Sequence, residues 1–270
     1  MKTEMLVVVS DIHCGSDVGL APPETETEKG NVIGFGKNHH QSWLWDRWLE
    51  AAAQVKAIIG KTPKAQVALA VNGDATEGSH HHNSSDLVSA DILVHTKMAE
   101  VCLSHLAQLC GKTFVTAGTE CHTLNMENEL AKLLKAVSRK ARDKWILSIR
   151  GCLVDIAHHM TTTSRAYLEA SAMSILMGNA RLNYLRAGHP VPRVYLRAHR
   201  HCGGHYSDND GLFAVTGAWQ FLTRHGHKVV TDSIPRPSVI VLDWRGKPEG
   251  SLPAVHSITF NAPKHESVTT

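Results

Sequence analysis

Short apolar runs rich in valine, isoleucine and leucine recur along the whole chain, and many are followed by a segment with helical periodicity. Runs of this kind predict β-strands, and strands that alternate with helices are typical of layered α/β folds. We predict strands at 5–10, 66–72, 112–117, 145–149, 152–157, 193–198, 211–217, 237–244 and 254–260. We predict helices at 41–59, 86–109, 126–141 and 164–186. The last strands lack long helices between them, so the second half is expected to be more antiparallel.

Composition narrows the class of protein. The 270 residues, of which 43% are hydrophobic and 20% charged, suit a globular protein with a sizeable core. A net charge of +3 without a long basic block gives little support to binding of nucleic acid or membranes. The first residues lack the apolar core and cleavage site of a signal peptide, and no run has the roughly 18 apolar residues of a membrane helix. A cytoplasmic protein is expected, and a homo-oligomer stays open.

Domain organisation follows from the same pattern. We expect a single domain over residues 1–262 and a flexible tail over 263–270. Residues 17–40 carry proline, glycine and acidic residues without a period, directly after the first strand. Long loops in such a place are often functional, so we predict a lid over the site.

Metal-ligating residues follow five of the predicted strands. They stand in the stretches "SDIHCGS", "VNGDATEG", "TAGTECHT", "DIAHHMT" and "RAHRHCGG". Ligands of α/β sheets gather at the carboxyl ends of strands, and carboxylates and imidazoles bind divalent metals. His199 and His201 are two residues apart and share one face of an extended chain, as do Asp11 and His13. The sequence therefore predicts that these loops converge on a metal site.

The order of these blocks resembles the motifs D-x-H, G-D, G-N-H-D/E, a lone H and G-H-x-H of the calcineurin-like metallophosphoesterase superfamily. The matching residues are Asp11-Ile12-His13, Gly73-Asp74, Gly118-Thr119-Glu120-Cys121-His122, His158 and Ala198-His199-Arg200-His201. The stretches "GSDVGLAPP" and "WLWDRWL" also resemble a branch found in phage genomes and metagenomes. A phage-encoded protein of this branch would work in the host cytoplasm.

The resemblance implies both a fold and an activity. The implied fold is a two-sheet β-sandwich flanked by helices, in four layers α/β/β/α. The implied activity is hydrolysis of phosphomonoesters or phosphodiesters, by in-line attack of a hydroxide that bridges two metal ions. Mn²⁺ is the expected ion, with Zn²⁺, Fe²⁺ or Fe³⁺, Ni²⁺ and Mg²⁺ as alternatives. The expected substrate is a small phosphate ester such as a nucleotide or cyclic nucleotide. The rival functions are a nuclease acting on DNA or RNA and a metal-bound scaffold without turnover.

Carried over residue by residue, the resemblance also implies a ligand set. The first ion is assigned to Asp11, His13, Asp74 and His201. The second is assigned to Asp74, His158, His199 and one residue of the third motif.

The third motif departs from the family pattern, which has an Asn ligand followed at once by a His. In one alignment Thr119 replaces the Asn and Glu120 replaces the His. In the other, which we favour, Glu120 is the metal ligand and His122 is the catalytic acid that protonates the leaving group. Three carboxylates would then face two dications and leave about one positive charge, one fewer than an Asn ligand would leave.

Other histidines are candidates for substrate binding. His80 and His81, in the loop "EGSHHHN", are placed to reach a substrate phosphate, and so is His159 beside His158. For His80 and His81 the alternative is a polar loop, and for His159 it is a supporting or surface role.

Overall fold

A computed structural model describes residues 2–27, 30–34, 36, 38–79, 86–123, 126–160, 168–224, 226 and 235–263. His80 and His81 lie outside the described residues, as does the predicted tail except for residue 263. The strands are β1 (Met5–Val9), β2 (Thr25–Glu26), β3 (Val32–Ile33), β4 (Val67–Asn72), β5 (Lys112–Thr116), β6 (Lys144–Ile149), β7 (Cys152–Ala157), β8 (Val194–Arg197), β9 (Gly204–Ser207), β10 (Leu212–Val215), β11 (Ser238–Asp243) and β12 (Ala254–Thr259). The helices are α1 (His39–Ile59), α2 (Ile92–Ala107), α3 (Glu120–Thr123), α4 (Glu127–Leu133) and α5 (Glu169–Arg186).

Ten of these strands form two mixed sheets of five. Sheet one has the order β12-β11-β1-β4-β5, and its strands β1, β4 and β5 are parallel. Sheet two has the order β6-β7-β8-β10-β9, and its strands β7, β8 and β10 are parallel. The outer strands pair antiparallel, as the short connections late in the chain predict. The short strands β2 and β3 form a separate hairpin.

Alternation of side chains along the strands builds the layers, because successive residues of a strand face opposite sides of the sheet. Leu6 and Val8 of β1 face sheet two, where they join the same apolar cluster as Val154 and Leu196. The intervening Val7 and its neighbours on β4 and β11 pack instead against α1 and α2.

The outer face of sheet two is covered in the same way. Tyr195 and Phe213 pack there against Met173 and Met177 of α5. The order of layers is therefore helices, sheet one, sheet two, helix, and the predicted four-layer α/β/β/α sandwich is confirmed.

Helix α1 lies close to its predicted bounds. The side chain of Asn38 caps its first turn by accepting hydrogen bonds from the backbone N–H groups of His40 and Gln41. The helix ends at Gly60, whose φ of 58° suits a glycine. Its predicted apolar stripe, which includes Leu44 and Trp48, is buried against sheet one.

Two helices are shorter than predicted within the described residues, and α5 begins at Glu169, with residues 164–167 of its predicted range outside the described residues. Helix α2 begins six residues late, because the carboxylate of Asp91 caps it by accepting a hydrogen bond from the N–H of Leu93. Helix α4 ends at Leu133, eight residues early. Lys135 and Arg139 adopt left-handed φ values of 52° and 51°, and the N–H of Val137 donates to the backbone carbonyl of Thr113 in β5. Nothing in the apolar periodicity marks these turns.

All nine predicted strands are present, and three short ones were not predicted. Strands β2 and β3 have two residues each, and β9 is a half-exposed edge strand without an apolar run. Within the described part of the chain, no helix has the length and apolar character that a membrane crossing requires. The single domain over 1–262 and the lid over 17–40 stay predictions.

A buried charge network joins α5 to sheet two and generates a prediction about stability. Asp155 is fully buried, and its carboxylate accepts hydrogen bonds from Arg197 at 3.0 Å, Tyr184 at 2.9 Å and Lys144 at 3.1 Å. Replacing Asp155 with Ala leaves the guanidinium of Arg197 largely buried without this partner, so we expect a loss of about 3 kcal/mol in the free energy of unfolding. Urea denaturation measures it.

The exposed carboxylate of Asp143 provides the control. Asp143→Ala should change the free energy of unfolding by no more than about 0.5 kcal/mol. Equal effects of the two substitutions would show that the network does not stabilise the layer.

Candidate metal centre

The carboxyl ends of the parallel strands of both sheets meet at one edge of the sandwich. Asp11 follows β1 and Asp74 follows β4 in sheet one, whereas His158 follows β7 and His199 follows β8 in sheet two. The backbone N–H of His199 donates to the carboxylate of Asp11 at 3.2 Å, which brings the two sets of loops into contact. The predicted convergence of the loops is therefore observed.

Asp74 lies at the centre of this edge and is buried. Its Oδ1 accepts a hydrogen bond from the backbone N–H of Thr119 at 2.6 Å. Its Oδ2 is 3.0 Å from Nε2 of His158 and 3.1 Å from the hydroxyl of Thr119. Nδ1 of His199 lies 3.9 Å from the same oxygen. One carboxylate therefore contacts residues from both sheets, as a bridging ligand must.

One group of candidate ligands consists of Asp11, His13 and His201, whose ligand atoms all lie within 4.8 Å of one another. The Nε2 atoms of His13 and His201 face each other at 3.1 Å, and Nε2 of His201 is 3.7 Å from Oδ1 of Asp11. Three of the four residues assigned to the first ion are thus together.

A second group consists of Asp11, Asp74 and His158, and a third of His158, His159 and His199. Nδ1 of His158 donates to the backbone carbonyl of Asn72 at 2.7 Å, which leaves Nε2 directed at Asp74. The ring of His159 is exposed and lies 4.9 Å from the rings of both His158 and His199, measured between centroids. His159 thus lies beside the residues assigned to the second ion, where it can contact a substrate or an ion.

The third motif places Thr119, rather than Glu120, against the other ligands. The hydroxyl of Thr119 is 3.2 Å from Nδ1 of His199 and 3.1 Å from Asp74. Glu120 is exposed at the first residue of α3, and it belongs to none of the ligand groups found among the described residues. The geometry therefore favours the alignment in which Thr119 takes the Asn position, which is the one we favoured less.

Glu77 is a site residue that the sequence analysis did not single out. It is 2% exposed, and its Oε2 lies 2.8 Å from Nδ1 of His13. Gln220 donates a hydrogen bond to the same oxygen at 2.9 Å. Glu77 stands in the quoted loop "VNGDATEG", three residues after Asp74, but nothing in the sequence indicates that it turns inward.

His122 lies beside the first group, with its ring 4.8 Å from the ring of His13. Its Nδ1 donates to the backbone carbonyl of Glu77 at 2.9 Å, so Nε2 is the basic nitrogen of the neutral ring. Burial lowers the pKa of His122 to about 4. His122 is thus neutral at pH 7, whereas its predicted role as an acid requires a proton on Nε2.

Five polar residues of the site adopt left-handed backbone conformations, which are uncommon outside glycine. The φ values are 48° for Asp11, 45° for His13, 47° for Asp74, 72° for His199 and 60° for His201. Such conformations cost on the order of 1–3 kcal/mol each and cluster at functional sites. Their concentration at one edge marks that edge as the candidate functional site.

The electrostatics of the edge fit divalent ions. Burial raises the pKa of Asp11, even though His158 opposes the shift. Burial alone would lower the pKa of His158, but its contact with Asp74 raises that pKa to about 9. Burial lowers the pKa of His201 to about 3, which keeps its imidazole neutral and able to bind a metal. The buried carboxylates favour a positive charge beside them, and in this protein the proton on His158 meets part of that need. Carboxylates and neutral imidazoles are also the donors that bind divalent cations, which would supply the same charge.

Comparisons with known proteins found similarity only in structure. No protein-family model matches the chain, and no curated protein matches it. The chain is similar to an archaeal phosphodiesterase, with 12% identity, a TM-score of 0.44 and coverage of 95% of this chain and 99% of that one. It is similar to wild-type Vps29 complexed with Zn²⁺ from Entamoeba histolytica, with 10% identity, a TM-score of 0.42 and coverage of 95% and 98%. It is also similar to the hypothetical protein PH1004 from Pyrococcus horikoshii OT3, with 8% identity, a TM-score of 0.44 and coverage of 94% and 86%. Similarity at this level says nothing about what this chain binds or hydrolyses.

Close packing at Gly118 generates a prediction about the position of Asp74. A Cβ atom on Gly118 would lie 2.2 Å from Oδ1 and 2.3 Å from the backbone N of Asp74. Gly118→Ala should therefore displace Asp74 and weaken binding of divalent metal by about tenfold or more, the scale of a disturbed metal ligand. Calorimetric titration with Mn²⁺ measures the affinity.

Gly178, in the middle of α5, is the matched control, because a Cβ there meets nothing within 4 Å. Gly178→Ala should leave metal affinity unchanged and stabilise the helix by about 0.5–1 kcal/mol. Unchanged affinity in the Gly118 variant would contradict the central role of Asp74.

Proposed function

We propose that this chain hydrolyses phosphate esters with two divalent metal ions. The observation that carries the proposal is the place of Asp74, a buried carboxylate between the group of Asp11, His13 and His201 and the group that contains His158 and His199. A carboxylate between two sets of imidazole and carboxylate ligands is what a dinuclear centre requires.

In this proposal the main role of the residues described below is to hold the metal ligands in the correct orientation. Thr119 holds Asp74 through its backbone N–H and its hydroxyl, and the carbonyl of Asn72 holds the ring of His158. The backbone N–H of His199 orients the carboxylate of Asp11. Two bound divalent ions would supply a nucleophile from water near neutral pH and would stabilise charge on the phosphoryl oxygens.

The donor types bear on which ions bind. The ligand groups contain more imidazoles than carboxylates. Imidazole suits Zn²⁺, iron and Ni²⁺, whereas oxygen ligands suit Mg²⁺ and Mn²⁺. On donor type we therefore propose Zn²⁺, Fe²⁺ or Ni²⁺ ahead of Mg²⁺, and Mn²⁺, which the resemblance implies, is assayed beside them.

The state of His122 bears on which esters react. Because burial lowers the pKa of His122 to about 4, the ring has no proton to give on Nε2 at pH 7. Esters with good leaving groups need little protonation. We therefore propose that aryl phosphates are hydrolysed faster than alkyl phosphates. Equal rates for the two would indicate that His122 is protonated in the complex and serves as the predicted acid.

The main prediction concerns the bridging carboxylate. Asp74→Asn keeps the shape of the side chain but removes the negative charge that both ions share. We expect metal content to fall from two ions per chain toward one or none, and turnover to fall by roughly 10³-fold or more, equivalent to about 4 kcal/mol of transition-state stabilisation. The measurements are metal analysis and hydrolysis of p-nitrophenyl phosphate and bis(p-nitrophenyl) phosphate with Mn²⁺, before and after chelation.

The exposed carboxylate of Asp143 is the control, and Asp143→Asn should leave both quantities unchanged. An Asp74 variant with two ions and a normal rate would contradict the two-metal proposal. Metal binding without hydrolysis of either ester would favour the scaffold. Cleavage of DNA or RNA alone would favour the nuclease.

A second prediction separates the two alignments of the third motif. Thr119→Val removes the hydroxyl that contacts Asp74 and His199, so the Mn²⁺ concentration at half-maximal activity should rise about tenfold. Glu120→Gln changes an exposed side chain and should leave that concentration within about twofold. The reverse result would restore Glu120 as the ligand, as the sequence predicts.

A further inference from the structure

Glu77 is a buried carboxylate outside the ligand set that the resemblance implies. Its Oε2 is at ion-pair distance, 2.8 Å, from Nδ1 of His13, and both side chains are almost fully buried. The amide of Gln220 donates to the same oxygen at 2.9 Å. The backbone N–H of Glu77 donates to the carbonyl of Cys14, the residue after His13, at 2.9 Å. Glu77 is therefore fixed relative to His13 through both its backbone and its side chain.

The two nitrogens of His13 face different partners. Nε2 faces Nε2 of His201 within the group of candidate ligands, and Nδ1 faces Glu77. When one nitrogen of an imidazole binds a metal, the other carries the proton, and a carboxylate that accepts this proton fixes the tautomer and makes the ring a stronger ligand. Oε2 of Glu77 lies at ion-pair distance from Nδ1 of His13, the place from which a carboxylate can accept this proton, although the two groups do not meet the angle of a hydrogen bond.

His158, on the other side of Asp74, is held differently. Its Nδ1 donates to the neutral backbone carbonyl of Asn72 at 2.7 Å. A neutral carbonyl fixes the orientation of a ring but adds less negative charge to it than a carboxylate does. Behind their Nδ1 atoms, His13 and His158 therefore have partners of unequal charge.

We propose that Glu77 is a positioning residue that holds His13 as an Nε2 ligand, and that it makes the ion at Asp11, His13 and His201 the more tightly bound of the two. The inference rests on the proposed function in that it takes two ions as bound at this edge. The inference also predicts the order of binding: the tighter site beside His13 fills first, and the site beside His158 fills second.

Calorimetric titration with Zn²⁺ tests the order of binding. The metal-free wild-type protein should bind two ions in separate steps. Glu77→Ala should weaken the tighter step by about 10–100-fold, the usual effect of removing such a partner, and leave the weaker step within about threefold. Glu77→Gln should recover part of the loss, because its amide oxygen still accepts a hydrogen bond from Nδ1 of His13.

A structural role alone would not change the tautomer of one histidine. Nitrogen-15 NMR of the Zn²⁺-loaded wild-type protein should therefore show His13 protonated at Nδ1 and bound through Nε2. In Glu77→Ala this signal should shift or split, while the signal of His158 stays. Asp155→Asn removes another buried carboxylate, one that faces α5, and controls for a general loss of stability.

Three results would overturn the inference. The first is unchanged affinities in Glu77→Ala, and the second is an equal loss at both steps. The third is binding of three ions to the wild type and two to Glu77→Ala, since Glu77 would then be a ligand itself, together with His13 and His122.

Ordered binding of two ions without ester hydrolysis would uphold the inference and reject the proposed function. If Glu77→Ala hydrolyses the esters and binds both metal ions with wild-type affinities, the proposed function is upheld and the inference about Glu77 is rejected.

Discussion

The carboxylate of Asp74 lies where the two sheets meet, and it contacts residues that follow strands of both. Thr119, after β5 of sheet one, donates to Oδ1, and His158, after β7 of sheet two, lies 3.0 Å from Oδ2. The distance between these partners is set by the apolar layer between the sheets, in which Leu6 and Leu196 take part. Because packed interiors deform little, the layer fixes the geometry of the site.

The loops that carry the candidate ligands contain residues with left-handed backbone conformations, and backbone hydrogen bonds join one loop to another. The N–H of Asp11 donates to the carbonyl of Gly73, and that of His13 donates to the carbonyl of Asp74. The N–H of Ala218 donates to the carbonyl of His201 in the same way. Left-handed residues persist only where the surroundings over-determine them. These hydrogen bonds between loops supply that constraint, and side chains from distant parts of the sequence point to one place as a result.

The sequence predicted the strands well, because short apolar runs rich in β-branched residues mark strands that are buried on both faces, as β1 and β4 are. The arrangement of these strands in two sheets was implied by the resemblance. It predicted the end of α4 poorly, because the turn at Lys135 depends on pairing beside β5 and not on local composition. The third motif shows the same limit at the site. The sequence allowed two alignments one residue apart and favoured Glu120 as the ligand. In the structure Glu120 is exposed at the start of α3, and Thr119 faces Asp74.

Glu77 changes where the negative charge of the site lies, but the number of carboxylates near the two predicted ions stays at three. The sequence predicted three carboxylates against two dications, with Glu120 as the third. In the structure Glu120 is exposed and Glu77 is buried beside His13, so the third negative charge lies next to a ligand and outside the ligand groups around Asp74. Two dications would still retain about one positive charge in the buried region. On the two-metal proposal, an ion beside His158 would share Asp74 with its neighbour, and behind its histidine it would have the neutral carbonyl of Asn72 where the other ion has the carboxylate of Glu77. On the same proposal, an anionic phosphate would be attracted more strongly to the ion beside His158 than to the ion beside Glu77.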